Sequence, residues 1–350
     1  MGVPWVGSTE YGSEQNRPHF SFGKKAVALF SGGLDSALAV ALMLRQGFDV
    51  EGIFFTSPFC QCSGKGGCKA SELAESLGIR LKVVARTEEY IEAVRRPKYG
   101  YGRGLNPCID CRIFMLKEAK KYMDEVGASI IVTGEVLGER PMSQNRRALT
   151  LIERAAGLEG KILRPLSAKL LPETEAERKG LVNRGMLLDI KGRSRKRQLK
   201  LADELGVKGY TQPAGGCLLT DENFSRKLRD LFKNLDRVTL RDIEILKIGR
   251  HFRYGENKIV VGRDKNENEK LLELKTDGEY YFEVPGYGSP ITLMQGPESE
   301  EAIRTAAALT AYYSDCKDMN VQVMYGKDKL EKTITVPRPE KRSVDRLRVK

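Results

Sequence analysis

The sequence predicts an α/β protein with a doubly wound, mostly parallel sheet, followed by a helical extension and a small C-terminal α+β domain. Three observations lead there. Between about residues 24 and 168, short apolar runs alternate with segments of helical period, the order that builds βαβ units. From about residue 170 to 235 the pattern is helical and basic, and after Asp236 it changes to short strand-like pieces around one long helical segment. At 350 residues the chain also exceeds what one core usually serves.

In the first part the elements come in order. KAVALFS is an apolar run closed by a serine, and DSALAVALMLRQG is a helical stretch that ends on glycine. DVEGIFFT and RLKVVAR are β-branched and aromatic runs flanking the helical ASELAESLG. CRIFMLKEAKKYMDEVG carries helical periodicity up to a terminal glycine, and ASIIVTGE and GKILRPLS supply two more strands. Ligands in such sheets bind at the carboxyl ends of strands, here Ser31 to Ser36, Ser57 to Cys68, Gly134 to Gln144 and Ser167 onward. Beyond it, the loop GYTQPAGGCLLTDENFS precedes SRKLRDLFKNL, which Asp221 or Asn223 would cap. The last part offers the strand-like IEILKIG, KIVVG, EYYFEV, ITLMQG and NVQVMYG, the helical SEEAIRTAAALTAYYSDC and a basic tail, KRSVDRLRVK. The expected division is an N-terminal extension over 1–23, an α/β domain over 24–169, a basic helical extension over 170–235 that carries Cys217, and an α+β domain over 236–350.

Composition removes several function classes. No apolar run approaches the ~18 residues of a membrane helix, the N-terminus lacks the pattern of a signal peptide, and Val6 stands where a myristoylation motif needs Ser or Thr. The expectation is a cytoplasmic protein with no membrane partner. Lys and Arg outnumber Asp and Glu by 59 to 47, a net charge of +12 that suits a polyanion such as nucleic acid, although solubility alone would also account for it. KGRSRKRQLK concentrates six basic residues without an acid, so Arg193, Arg195, Lys196 and Arg197 are candidate RNA contacts, joined by Arg250 and Arg263. Seven cysteines, an odd number in a reducing compartment, are thiols, metal ligands or nucleophiles rather than a disulfide framework. His19 and His251 sit in no triad pattern and are assigned to surface or packing roles.

In FSGGLDSALAV a strand ends, two glycines allow close backbone approach, and a helix begins near Asp35 or Ser36. Free amides at the turn and the helix dipole make a cradle for phosphate, to which Ser31, Gly32, Gly33 and Ser36 contribute. Asp35 would repel a bare phosphate, so it either works through Mg2+ or caps the helix. Neither a Walker loop nor a dinucleotide fingerprint matches. NPCIDCRIF places Cys108 and Cys111 at a helix start, where the dipole favours thiolates. Alone, C-x2-C is open to zinc, an iron-sulfur cluster, a redox pair or no function. Cys217, behind two glycines, adds a third thiol. Three thiolates are one short of a closed zinc site and compatible with a 4Fe-4S cluster with one free iron; buried inert thiols remain the alternative. Cys60, Cys62 and Cys68 match no strong template and are taken as loop cysteines, with Cys316 as a packing residue.

The string SGGLDS in its strand-loop-helix setting resembles the PP-loop (N-type ATP pyrophosphatase) superfamily, whose adenine nucleotide alpha hydrolase-like members cleave ATP to AMP and pyrophosphate. Together with PCIDC, VTGEVLGERPMSQNRRAL and GGCLLT it resembles the ATP-dependent tRNA thiolases, particularly the tRNA 4-thiouridine synthetase and 2-thiouridylase groups. TGEVLGERPMSQ is similar to their TGES-LG-x3-SQ segment, with Gly134, Glu135, Ser143 and Gln144 matching and Val136 departing. The resemblance covers roughly Lys24 to Leu219. It implies ATP and Mg2+ on the loop, Asp35 as a catalytic residue, tRNA as partner, and Cys108, Cys111 and Cys217 in the order of the three cluster ligands of cluster-dependent members.

Departures accompany it. The RNA-binding domain that bacterial 4-thiouridine synthetases carry before the loop has no counterpart in residues 1–23, and no rhodanese segment follows. Sulfur is then expected from free sulfide or an external donor. KIGRHFRYGENKIVVGRDKNENEKLLEL resembles the RNA-binding module of the NFACT family, over about Asp242 to Gly296, which would move RNA contact to that end. Within the same fold, a cysteine persulfide relay needs only ATP and Mg2+, and an amide or nucleobase synthetase needs no cysteine trio. Outside enzymes, the rival is an RNA-binding protein with a vestigial loop. A homodimer is a further expectation.

Overall fold

The computed structural model describes residues 24–60, 69–211 and 217–349. The chain divides into two compact units, Met1–Cys217 and Leu218–Lys350. The expected helical extension over 170–235 is therefore not a body of its own. Its first helices pack into the first core and its last helix belongs to the second unit. No helix among the described residues is long and apolar enough to cross a membrane.

The first unit runs β1 (Lys25–Leu29), α1 (Leu34–Leu44), β2 (Asp49–Thr56), α2 (Lys69–Ser76), β3 (Arg80–Ala85), α3 (Glu88–Arg95), α4 (Cys108–Glu125), β4 (Ile130–Thr133), α5 (Arg146–Ala156), β5 (Ile162–Leu163), α6 (Glu175–Arg178) and α7 (Lys196–Leu205). The strands order as β3-β2-β1-β4-β5, all parallel. Strand side chains alternate faces, so β1 feeds two cores. Ala26 and Ala28 pack with Leu38 and Met43 of α1 and Ala202 of α7. Val27 and Leu29 pack with Leu116 and Met123 of α4 and Ile152 of α5. Being covered on two sides explains why α1 is apolar nearly all round. The chain winds outward through β2 and β3 and then returns to the other side of β1, so the switch point lies between the carboxyl ends of β1 and β4.

The second unit holds α8 (Glu222–Asn234), α9 (Leu240–Lys247), β6 (Arg250–Tyr254), β7 (Asn257–Val261), α10 (Lys265–Leu274), β8 (Tyr280–Glu283), β9 (Thr292–Gln295), α11 (Glu300–Tyr313), β10 (Asn320–Gly326), β11 (Lys332–Pro337) and α12 (Lys341–Leu347). Its sheet is antiparallel, ordered β11-β10-β8-β9-β7-β6. The apolar face of α11 covers Phe252, Ile259 and Phe282 on one side, with Cys316 in the same core as expected. Ile245, Val260, Leu271 and Leu293 form a smaller core on the other side.

IEILKIG, expected as a strand, is largely helix α9. Thr239 and Asp242 close a capping box at its start, and Ile243 and Leu246 bury one helical face. Asp221, not Asn223, caps α8 by accepting from Phe224 N at 2.7 Å. His251 is fully enclosed, its Nε2 2.8 Å from Ile248 O, and burial, with Lys258 and Lys227 nearby, holds it well below the ordinary imidazole range.

Candidate nucleotide and sulfur site

The turn after β1 is built from its own short residues. Gly32 has φ +73°, and a Cβ there would sit 2.8 Å from Ala70 Cα, so both conformation and space require glycine. Gly33 is the N-cap of α1 and no side chain caps the helix. The amides of that first turn are the orphan donors of any helix start. Ser36 Oγ donates to Gly33 O at 2.9 Å and lies 3.2 Å from Ser31 Oγ, so both hydroxyls stiffen the turn. Gly134, at the end of β4, is pressed against it: a Cβ there would stand 2.5 Å from Asp35 C and Ser36 N.

The remaining residues of that second segment shape the loop instead of lining the turn. Glu135 is buried between Arg112 (Nε to Oε1, 3.1 Å) and Arg164 (Nε to Oε2, 2.9 Å). Burial alone would raise its pKa, but the two guanidiniums outweigh it and hold the carboxyl below its ordinary value. Gln144 Oε1 accepts from Arg140 N at 3.1 Å, and Ser143 is buried.

Asp35 projects from the first turn of α1. Its Oδ2 lies 3.4 Å from Arg195 Nη2, which is also 3.4 Å from Glu139 Oε1, while its Oδ1 is buried and unpaired. Burial and then Glu139 push the carboxyl up to about 6, with Arg195 opposing. Gln198, one turn along α7, is enclosed and close enough to Asp35 for its amide to oppose that rise. A carboxylate and an amide, both largely buried, beside an uncapped helix start make a candidate place for a polar ligand. Arg195, expected among the RNA contacts, thus belongs to this site, and Gln198 and Glu139 were missed. Spacing gave no signal for them, since α7 reaches the turn only through packing on α1. Of the other basic candidates, Arg193 and Lys196 are exposed and Arg197 pairs with Asp189 at 2.6 Å. Arg250 lies 4.6 Å from the Tyr313 ring, and Arg263 is paired with Glu267.

Cys108 and Cys111 open α4, one turn apart. Asp110 between them accepts from Lys98 N and Tyr99 N at 2.9 and 3.1 Å, pinning the preceding loop. The dipole argument for a Cys108 thiolate fails here: burial and then Cys111 raise its pKa despite Arg140 and Arg112. Cys111 Sγ accepts from Arg86 Nη1 at 3.2 Å, and Arg86 Cζ lies 4.5 Å from the centre of the Tyr90 ring. Cys217 lies near enough to act on the charge of both Arg86 and Tyr90. Upstream of it, Thr211 is tied to the turn after β1, its N and Oγ1 donating to Gly32 O at 2.8 and 3.1 Å. Cys111 and Cys217 are thus the thiols that neighbour Arg86 and Tyr90, with Cys108 one turn before Cys111, although no three His, Cys, Asp or Glu side chains among the described residues converge at metal-ligating distance. Cys60 is half-buried in the turn after β2; Cys62 and Cys68 lie outside the described residues.

A parallel sheet with an uncapped SGGLDS turn at its switch point has the layout of a nucleotide-binding α/β domain, and the turn resembles that of the PP-loop type. Comparison with known proteins narrows the class. Residues 21–169 match the family model described as thiamine biosynthesis protein (ThiI), and residues 249–346 match the NFACT protein RNA binding domain. A tRNA-specific 2-thiouridylase MnmA from Syntrophotalea carbinolica is 35% identical over 120 residues, 32% of this chain and 34% of that protein. A probable tRNA sulfurtransferase from Lysinibacillus sphaericus is 36% identical over 146 residues, 41% of this chain and 34% of that protein. A solved 4-thiouridine synthetase in complex with RNA and bound ATP aligns with a TM-score of 0.37 and 19% identity, over 65% of this chain and 53% of its own. The chain spans about a third of the length of the curated relatives it matches. Its first unit is thus similar to the ThiI family over residues 21–169 and its second to the NFACT RNA-binding type over 249–346.

Proposed function

We propose that this chain is an ATP-dependent tRNA sulfurtransferase that adenylates a uridine carbonyl oxygen and replaces it with sulfur, forming 4-thiouridine or 2-thiouridine. One observation carries the reading: Thr211, upstream of Cys217, is tied to Gly32 of the turn after β1, and Cys111 and Cys217 both lie near enough to Arg86 to act on its charge. A candidate nucleotide turn and a group of thiols in one unit support sulfur transfer, which needs both, over amide synthesis, which needs no thiols. The relatives' names support the same activity.

ATP binds with its pyrophosphate on the amides of Gly32, Gly33 and the first turn of α1. Ser31 and Ser36 hold that turn in shape, Asp35 takes Mg2+ and Arg195 faces the phosphates. The uridine oxygen attacks the α-phosphorus and pyrophosphate leaves, making AMP the leaving group. A sulfur anion adds to the activated carbon, AMP departs with the oxygen, and the base loses a proton. Cys108, Cys111 and Cys217 suit a 4Fe-4S cluster in donor type, and the cationic Arg86 beside Cys111 suits its charge. When bound, such a cluster supplies an iron free to carry sulfur. Exposed Arg193, Lys196 and Arg197, with Arg250 and Arg263, are assigned to tRNA phosphates, the sulfur source is sulfide or an external donor, and the assembly is a homodimer.

Anaerobic incubation of iron-reconstituted protein with ATP, Mg2+, tRNA and sulfide tests this. Pyrophosphate release that requires tRNA, with sulfur appearing in the RNA, is expected. Release that proceeds equally with Cys108, Cys111 and Cys217 all changed to Ser, giving unthiolated RNA, would point to amide-type chemistry instead.

A further inference from the structure

The first unit treats its buried guanidiniums in two ways. Arg164 is held by Glu135 and Glu153, both carboxylates. Arg86 has no carboxylate within ion-pair distance among the described residues. Its Nη1 donates to Cys111 Sγ at 3.2 Å and its Nη2 to Met115 Sδ at 2.9 Å, its face lies on the Tyr90 ring, and its Nε is enclosed and unpaired. The Phe55 ring lies 5.7 Å away on a further side. A cation desolvated among sulfur and aromatic groups is costly unless an anion shares the space. Among the described residues, the groups against it are the Cys111 and Met115 sulfurs and the Tyr90 and Phe55 rings.

We propose that Arg86 is a positioning residue that supplies the fixed positive charge at the thiol site, drawing in the hydrosulfide anion used in the reaction and orienting it beside Cys111. This rests on the sulfurtransferase reading and adds what selects the nucleophile. Guanidinium is suited to the task because it stays charged at every working pH and presents its donors in a plane. The Nε left unpaired by Cys111 and Met115 is the donor available to a second sulfur.

The test separates local charge from thiol ionisation. Iodoacetate and iodoacetamide both react with the same thiolate, so the ratio of their rates at Cys111 cancels the thiolate fraction and reports the field felt by an anion. In cluster-free full-length protein, peptide mass spectrometry is expected to give a ratio at least fivefold above that of a free thiol in the same buffer. Arg86→Met is expected to reduce it to the free-thiol value, and Arg86→Lys to restore most of it. In the anaerobic thiolation assay, Arg86→Met raises the KM for hydrosulfide at least tenfold while the KM for ATP stays within twofold, and Arg86→Lys recovers most of that loss. If Arg86→Met fails to fold, the Arg86→Lys and wild-type ratios against the free thiol still decide. A wild-type ratio equal to that of the free thiol, or one unchanged in Arg86→Met, overturns the inference even where tRNA is thiolated. A raised, Arg86-dependent ratio in a protein that never thiolates tRNA instead overturns the sulfurtransferase reading.

Discussion

Replacing Asp35 with Asn should make the nucleotide-free protein more stable while destroying its affinity for ATP and Mg2+. Burial and Glu139 raise the Asp35 carboxyl from 3.8 to about 6 in the folded chain. At about 1.4 kcal/mol per pH unit, its ionised form costs the fold about 3 kcal/mol near neutrality. The side chain is 15% exposed, so solvent reduces the figure to about 2 kcal/mol. The sign follows from proton counting. Between about pH 4 and pH 6 the folded chain holds this proton more tightly than the unfolded one, so stability falls as pH rises through that window and then levels off. Asn does not titrate. In urea melts of the free protein, Asp35→Asn should gain about 2 kcal/mol at about pH 7.5 and about half that at about pH 5. Calorimetric titration with ATP and Mg2+ should show at least a tenfold loss. A variant no more stable than wild type at neutral pH, or one whose advantage does not change with pH, would refute the assignment of Asp35 as a strained, ligand-waiting carboxylate.

Two other substitutions test the walls of the site. Gly134→Ala drives a methyl into the backbone of Asp35 and Ser36, which cannot rotate away, so a loss of about 1–3 kcal/mol is expected. ATP affinity should fall more than tenfold, because the first turn of α1 must shift; an unchanged dissociation constant would mean that turn does not bind the nucleotide. Glu135→Gln leaves Arg112 and Arg164 without the carboxylate they share, and a loss of about 3–5 kcal/mol in denaturant melts follows. Because the Glu135 carboxyl is held below its ordinary value, the wild-type advantage persists above the carboxylate range and is lost as acid protonates it. A Gln variant of wild-type stability at neutral pH would contradict the buried-network account.

The turn after β1 was legible because its geometry is local: a strand end, a glycine at positive φ and a helix start follow one another along the chain. The double winding was legible for the same reason, in the alternation of apolar runs. What packing alone decides was not. Arg195 belongs to a basic run that suggests a solvated face, yet α7 lies against α1 and delivers it to Asp35, 160 positions away in the chain. Glu135 matches a motif associated with nucleotide binding, but two arginines from distant elements enclose it. Arg86 follows a strand in an ordinary polar context, and only the fold reveals that its neighbours are thiols and rings. Cys108 shows the limit of a dipole argument, since burial outweighs the helix start. IEILKIG was ambiguous because a short β-branched run fits strand or helix; Thr239 and Asp242, spaced as a capping box, carried the missing signal.

The central claim is that one unit activates a uridine oxygen and exchanges it for sulfur. Nucleoside mass spectrometry of tRNA from cells with the gene, without it, and with the gene carrying Asp35→Asn tests it most directly. The account predicts that one thiolated uridine disappears in the deletion, returns with the wild-type gene and stays absent with the variant. An identical set of thiolated nucleosides in all three strains would contradict it.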